Sequence, residues 1–130
     1  MPIDDYVGRP FSEAQNARLE DARKYIGQGD FYHAKSALQE IVERSDAIDT
    51  SRPEGFREVT LELYRLGIGV RMREAQQALQ EGKLEDAQEK LGLVVHYAKG
   101  LKIQVPPEAA ALKRKLFNAS VQAALKKQGK

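Results

Sequence analysis

The chain contains no cysteine and no tryptophan, and only 7% of its 130 residues are aromatic. Without cysteine there are no disulfide bonds, thiolate zinc sites, iron–sulfur clusters or cysteine nucleophiles. The longest apolar run, Leu91–Val95, is far shorter than the ~20 residues that a transmembrane helix needs. What the chain does have is 42% hydrophobic and 31% charged residues, enough for one core beneath a well-solvated surface.

The length predicts a single domain over residues 1–130, because domains usually contain ~100–150 residues. Residues 1–5 show neither the basic segment nor the apolar segment of a secretory signal. The expectation is therefore a cytoplasmic protein, or a periplasmic one if the natural chain begins further upstream.

The charge of the chain is unevenly distributed. Residues 99–130 contain eight basic residues and one acidic residue, a net charge of +7, so the preceding 98 residues carry −5 of the total of +2. Such a basic end can meet an anionic partner, or it can simply complement helix C-termini and keep the surface solvated. Phe117 is the one aromatic residue there, which makes base stacking on a nucleic acid a weak hypothesis.

Five segments carry apolar residues at helical spacing, and no stretch keeps a period of two. Capping-box spacing at Ser12 with Gln15, and at Ser51 with Glu54, predicts two helix starts, and Asp30 is a third candidate N-cap. Gly82 and Gly100 are predicted stops, and Pro106 with Pro107 starts the last helix. The sequence thus predicts an all-α fold of about five helices, a short solenoid or bundle: N-terminal extension 1–10, first hairpin 11–48, second hairpin 54–100 and C-terminal helix 107–128.

Two glycines, Gly67 and Gly69, stand in the middle of the third segment, which runs from Glu54 to about Glu81. Glycine inside a helix costs ~1 kcal/mol relative to alanine. The pair therefore marks either a close approach of another helix or a kink, and we expect one long helix with a possible bend.

The chain matches itself when it is shifted by 53 residues. Each copy has a small residue on a first helix, a glycine at a tight turn, and then large, small and large apolar residues on a second helix. Antiparallel helices that pack closely need these residue types. The first copy is Ala22, Ile26, Gly29, Phe31, Ala34, Leu38, Ile41 and Val42; the second is Ala75, Leu79, Gly82, Leu84, Ala87, Leu91, Val94 and Val95.

Residues 25–34, Tyr-Ile-Gly-Gln-Gly-Asp-Phe-Tyr-His-Ala, resemble the centre of a tetratricopeptide repeat. The second copy is a weaker match, with Ala78 in place of the tyrosine, and the spacing of 53 residues differs from the family's 34. Arg18 and Arg71 stand where the family has an aromatic residue. The pattern Gly-Lys-x-x-x-Ala-x-x-x-Leu over 82–91 also resembles the bacterial YfdX-type helical proteins.

The tetratricopeptide resemblance implies that the first helix of each hairpin lines a groove for a protein segment. The family's clamp for C-terminal carboxylates is not reproduced, so chaperone tails are not the expected ligands. Carried over position by position, the groove residues would be Leu19, Arg23 and Ile26 in the first copy, and Met72, Gln76 and Leu79 in the second.

Residues that could support catalysis or bind metal are not spaced for it. His33 and His96 have no second ligand at metal-binding spacing, and they are expected to be partly exposed helix residues. Tyr64 and Tyr97 lie off the main apolar stripes, which leaves edge packing and interface contact open for both. We therefore expect no catalytic residues, no cofactor and no metal.

The C-terminal helix has two apolar ridges, one of which (Leu112, Leu116, Ala119 and Ala123) suffices to cover a helical stack. The second ridge is Phe117, Val121 and Ala124. It could bind an acidic helical partner or a second copy of the chain, or it could be buried between the hairpins, with Phe117 in the core. The candidate contact residues are Lys113, Arg114, Phe117, Val121 and Ala124.

The function predicted from these features is a non-catalytic protein-interaction domain: an adaptor, scaffold or assembly factor that binds a protein segment in a helical groove. One alternative is a structural subunit that docks into a larger complex, or with its own copies, through the C-terminal helix. Another is a protein that binds an anionic polymer through its basic end.

Overall fold

A computed structural model describes the backbone of residues 3–129 and the side chains of residues 10–129. This part of the chain folds into five helices and contains no strand, which confirms the all-α prediction. None of the described helices is both long and apolar enough to cross a membrane. The helices are α1 (Ile3–Gly27), α2 (Phe31–Ala47), α3 (Phe56–Gln80), α4 (Leu84–Leu101) and α5 (Pro107–Gln128).

Backbone contacts divide the chain into two compact units, Met1–Leu66 and Gly67–Lys130, here called the N-terminal and C-terminal units. In the N-terminal unit α1 packs on α2, and in the C-terminal unit α4 packs on α5. Helix α3 is continuous across the boundary and contributes to both units. The assignment of residues 1–130 to one domain stays a prediction.

Helix α1 begins at Ile3 and runs through Pro10, so the predicted start at Ser12 is wrong. Gln15 does not cap a helix. Its side chain is buried and donates hydrogen bonds of 3.0 Å to the Ile41 carbonyl oxygen and 3.0 Å to Ser45 Oγ of α2. The amide is used between helices because a buried polar group needs a partner that solvent cannot supply.

Replacing Gln15 by alanine should lower the free energy of unfolding by about 1–2 kcal/mol, since two buried hydrogen bonds are lost. Ser12→Ala is the matched control: Ser12 is exposed and lies inside α1, so we expect a change within about 0.5 kcal/mol. Urea denaturation followed by circular dichroism measures both. A larger loss for Ser12→Ala than for Gln15→Ala would restore the capping-box interpretation.

The turns of the two hairpins have the same backbone geometry. Gly29 and Gly82 have φ of 73° and 75°, a left-handed conformation that favours glycine. The next residue closes each turn with a 2.8 Å hydrogen bond, from Asp30 N–H to the Tyr25 carbonyl and from Lys83 N–H to the Ala78 carbonyl. Both predicted turn glycines are therefore confirmed. Asp30 also caps α2 as predicted, because its carboxylate accepts a bond from the His33 N–H.

The two arginines that depart from the tetratricopeptide pattern form the same ion pair in each unit. Arg18 lies 3.2 Å from the Asp21 carboxylate, and Arg71 lies 3.0 Å from the Glu74 carboxylate. Arg18 also donates to Glu40 of α2, and this bond raises the pKa of its guanidinium above the usual value. Charged side chains thus replace apolar packing at this position of both hairpins.

Helix α3 begins at Phe56, two residues after the predicted start, and the second capping box is not used. The turn before it depends instead on Gly55, whose φ of 87° an L side chain rarely adopts. The Val59 N–H then donates to the Gly55 carbonyl, which opens the helical hydrogen-bond ladder. Backbone conformation, rather than a serine side chain, determines this helix start.

The prediction of one long helix over Gly67 and Gly69 is confirmed by α3. Gly67 marks a close approach: a Cβ atom there would lie 2.6 Å from Cε2 of Tyr97 on α4. Tyr97, which the apolar pattern placed at an edge or interface, is 6% exposed, and its hydroxyl lies 3.4 Å from Arg71 Nε. A side chain at residue 67 would therefore collide with a packed ring.

Helix α4 continues through Gly100 and ends at Leu101, so the predicted stop at Gly100 is wrong. Lys102 adopts the left-handed conformation at the C-cap, with φ 57°, and its N–H bonds back to the last turn. The predicted start of α5 is confirmed, with Pro106 at the N-cap and Pro107 as the first helical residue. The two prolines therefore predict a helix boundary correctly, whereas Gly100 does not.

Candidate functional site on helices α4 and α5

A hollow of about 490 Å³ lies between α4 and α5 in the C-terminal unit. Its apolar part is formed by Leu91 and Val95 of α4 and by Leu116 and Phe117 of α5. Lys113 contributes the one charged side chain of the lining. The remaining lining residues are small or neutral polar ones: Gln88, Gly92 and Ser120.

An exposed apolar ridge continues from this hollow along α5. Phe117, Val121 and Leu125 are 68%, 40% and 56% exposed, and they follow one another at intervals of four residues. Side chains at this spacing lie on one side of a helix and project one above the other. We call the hollow and this ridge together the α4–α5 face.

The ridge is exposed because α5 extends past the surface that it covers. Leu112 is buried, Leu116 and Ala119 are half-buried, and every residue from Ser120 to Gly129 is exposed. The first predicted ridge (Leu112, Leu116, Ala119 and Ala123) is therefore packed only as far as Ala119, and Ala123 contacts solvent. The hypotheses that Phe117 is a core residue and that both ridges are buried are wrong. Of the predicted contact residues, Lys113, Arg114, Phe117, Val121 and Ala124 are all exposed.

Gly92 leaves the α4 side of the face without a side chain at that position. A Cβ atom built there would meet no described atom within 4 Å, whereas one at Gly67 would collide with Tyr97. Packing inside the described part of the chain therefore explains Gly67 but does not explain Gly92. Small residues on a helix surface allow another helix to approach closely.

The basic residues of α5 are not neutralised within the described part of the chain. Among the residues with described side chains, ion pairs link seven Lys and Arg residues outside α5 to nearby carboxylates; Arg18, Arg44 and Lys90 are examples. None of the α5 cations has an ion pair among the described residues, and the one acidic residue of the helix, Glu108, lies in its first turn. The α5 cations are Lys113, Arg114, Lys115, Lys126 and Lys127.

The groove residues predicted for the first copy do not form one exposed surface. Leu19 is 2% exposed and packs in the core, so it is removed from the candidate contact residues. Arg23 is exposed and pairs with Glu20 one turn earlier. Ile26 is half-buried at the end of α1.

The residues predicted for the second copy lie on the accessible side of α3. Met72 and Leu79 are half-buried, and Gln76 is exposed. Met72 and Gln76 also line a hollow of about 390 Å³, to which α5 contributes Leu112 and Lys115. The structure therefore brings two of these three residues together with the C-terminal helix.

The two histidines and the buried Gln15 amide are the remaining candidates for a polar site. His33 and His96 are exposed, as expected, and His33 Nδ1 lies 2.7 Å from Asp30. The described side chains contain no group of three His, Asp or Glu residues that could hold a metal ion. Gln15 borders a hollow of about 270 Å³ in the N-terminal unit, and its Oε1 has no hydrogen-bond partner among the described residues, but that atom is itself inaccessible.

Comparisons with protein-family models, curated proteins and solved structures gave no match for this chain. The likeness to tetratricopeptide repeats therefore stays a hypothesis that depends on the residues quoted for it. What the α4–α5 face can bind follows from its own shape and charge.

The sequence pattern identified Lys113, Phe117 and Val121 of the α5 half of this face but not Leu125, and it missed the α4 half. The sequence places Leu91 and Val95 in the second copy of the internal repeat and gives Gly92 no role. A usable signal was present, because Gly92 is a glycine in mid-helix with no turn to explain it. Its exposure becomes apparent only when the direction of α5 across α4 is known.

Proposed function

We propose that this protein is a non-catalytic protein-interaction module whose α4–α5 face packs against a helical segment of a partner. The observation that carries the proposal is the exposed ridge of Phe117, Val121 and Leu125 beside an apolar hollow. The cytoplasmic location expected from the sequence belongs to the same proposal.

Burial of the ridge would supply the free energy of binding. Apolar surface removed from water contributes ~25 cal/mol per Å², and large side chains in pockets dominate interface energetics. Phe117 is a large apolar residue that is 68% exposed, and it borders the hollow, so a partner could bury it there. A helix in a groove is a common form of peptide recognition, with anchors at intervals of three and four residues.

The tetratricopeptide likeness is retained as part of the proposal. It is supported by the matching turns at Gly29 and Gly82. The matching ion pairs of Arg18 and Arg71 support the internal repeat, but they depart from the family's pattern. A groove on the first helix of each hairpin is the second candidate site. The hollow lined by Met72 and Gln76 favours it in the C-terminal unit.

Site-specific photo-crosslinking in the native cell extract should distinguish the two sites. With p-benzoylphenylalanine at Val121 we expect discrete protein adducts, because this side chain lies on the ridge. The same probe at Gln76 tests the second candidate, and at Gln39, exposed on α2, it is the background control.

Phe117→Asp, combined with the probe at Val121, should abolish the adducts. Because residue 117 is exposed, the substitution should change the free energy of unfolding by about 0.5 kcal/mol or less. Adducts from Gln76 but not from Val121 would move the site to the α3–α5 hollow. Equal labelling from Gln39 and Val121 would contradict a binding site on the α4–α5 face.

A further inference from the structure

We infer that the partner segment is an acidic amphipathic helix that crosses α4 at Gly92 and lays its apolar side along the α5 ridge. This inference rests on the proposed function and specifies the chemistry of the occupant. Three properties of the face lead to it: its charge, its shape and the positions of its lysines.

The positive charge of α5 favours an acidic partner over a basic or neutral one. Five cations lack an ion pair within the described chain, and residues 109–129 contain no acidic residue. A second α5 from another copy would bring like charges together, which disfavours a symmetric dimer through this helix. An acidic helix would instead gain complementary pairs at the rim, where charge determines specificity and association rate.

The positions of the cations on α5 indicate where a bound helix should carry its acidic residues. Lys113 stands one turn before Phe117 on the same ridge, and it also lines the hollow. Arg114 lies about 60° and Lys127 about 80° from Phe117 around the helix, on opposite sides of the ridge. A partner helix whose carboxylates flank its apolar stripe meets both sides.

The shape of the face favours a helix over a membrane or a nucleic acid. The hollow is concave, and the bare surface at Gly92 suits a rounded backbone rather than a flat bilayer. Lys113 and Arg114 lie about 40° and 60° from Phe117, beside the ridge, whereas a membrane-surface helix keeps its basic residues on the polar face opposite its apolar side. Single-strand binding would need more aromatic residues than Phe117 alone.

A displayed peptide library tests the inference on the full chain. Every member is a helical peptide of about 18 residues, five turns, with one constant apolar stripe. The flanking positions vary among Glu, Gln and Lys. We expect selection to enrich Glu-rich members, whose affinity should fall with added salt because rim charges are screened.

Two matched double variants locate the charge effect. Lys113→Glu with Arg114→Glu should weaken the binding of the selected peptides by about tenfold or more. The control is Lys126→Glu, about 180° from Phe117, with Lys35→Glu on the exposed side of α2; this equal change of charge should have an effect of about twofold or less. Gly92→Leu should also weaken binding by about tenfold without lowering the melting temperature, because open space surrounds that position and leucine is the better helix former.

Each alternative outcome contradicts the inference in a recognisable way. Enrichment without a charge preference, but lost in Phe117→Asp, would refute the acidic partner and leave the proposed function intact. The inference would be refuted if no peptide were enriched. It would also be refuted if neither Lys113→Glu/Arg114→Glu nor Gly92→Leu changed the binding of the selected peptides. In either case the crosslinking experiment tests the proposed function independently. Binding of phosphatidylcholine–phosphatidylserine vesicles or of a single-stranded oligonucleotide, without peptide enrichment, would replace the acidic helix by a lipid surface or a nucleic acid.

Discussion

Ala34→Leu and Ala87→Leu should each lower the free energy of unfolding by about 1–3 kcal/mol, because a leucine overpacks a site that is already full. Both alanines are 0% exposed, and each follows the glycine turn of its unit by five residues. Their methyl groups lie where no larger side chain fits without moving the helices. Because the two positions belong to different units, each variant reports on its own hairpin.

Exposed alanines provide the controls for this pair. Ala17 of α1 and Ala110 of α5 are exposed, so Ala17→Leu and Ala110→Leu should change stability by about 0.5 kcal/mol or less. Urea denaturation followed by helical circular dichroism is the measurement. If neither Ala34→Leu nor Ala87→Leu lost stability, close packing after the turn would not be what these alanines provide.

Gly67→Ala should lower the free energy of unfolding by about 1–3 kcal/mol, although alanine is the better helix former. The new Cβ would lie 2.6 Å from Cε2 of Tyr97, closer than carbon atoms approach. The ring has little freedom to withdraw, since it is 6% exposed and its hydroxyl contacts buried Arg71.

Gly69→Ala is the matched control two residues further along α3. Its Cβ would meet only Arg73 Nη1, at 3.7 Å, so helix propensity should stabilise this variant by about 0.5–1 kcal/mol. Thermal and urea denaturation of the two variants should therefore move in opposite directions. A stabilised Gly67→Ala variant would show that the Tyr97 ring yields at little cost, and the close approach would lose its structural importance.

Local residue chemistry was sufficient for much of the secondary structure. Asp30 accepts its capping bond, Gly29 and Gly82 adopt positive φ, and Pro107 opens α5, as the sequence predicts. These features depend on a few neighbouring residues, because a cap or a left-handed turn is decided within one helical turn.

Near the predicted start of α1, a residue of the local capping signal takes part in long-range packing instead. Ser12 and Gln15 have capping-box spacing, yet the Gln15 amide bonds to α2, 26 and 30 residues away in sequence. Gly100 is a plausible stop, yet α4 continues to Leu101. The Gln15 contacts are of a kind that a sequence pattern does not contain, whereas the end of α4 is set locally by the left-handed conformation of Lys102.

One part of the candidate site could be predicted from the sequence, and the other part became apparent only in the structure. Apolar periodicity and the excess of lysine on the last helix follow from residue order alone, so Phe117, Val121 and the basic residues could be singled out from the sequence. Which ridge contacts α4, and how far along α5 that contact extends, depends on the direction in which two helices cross. Only the tertiary structure therefore decided that Phe117 is exposed, that Gly92 lies open beside it, and that α4 supplies half of the face.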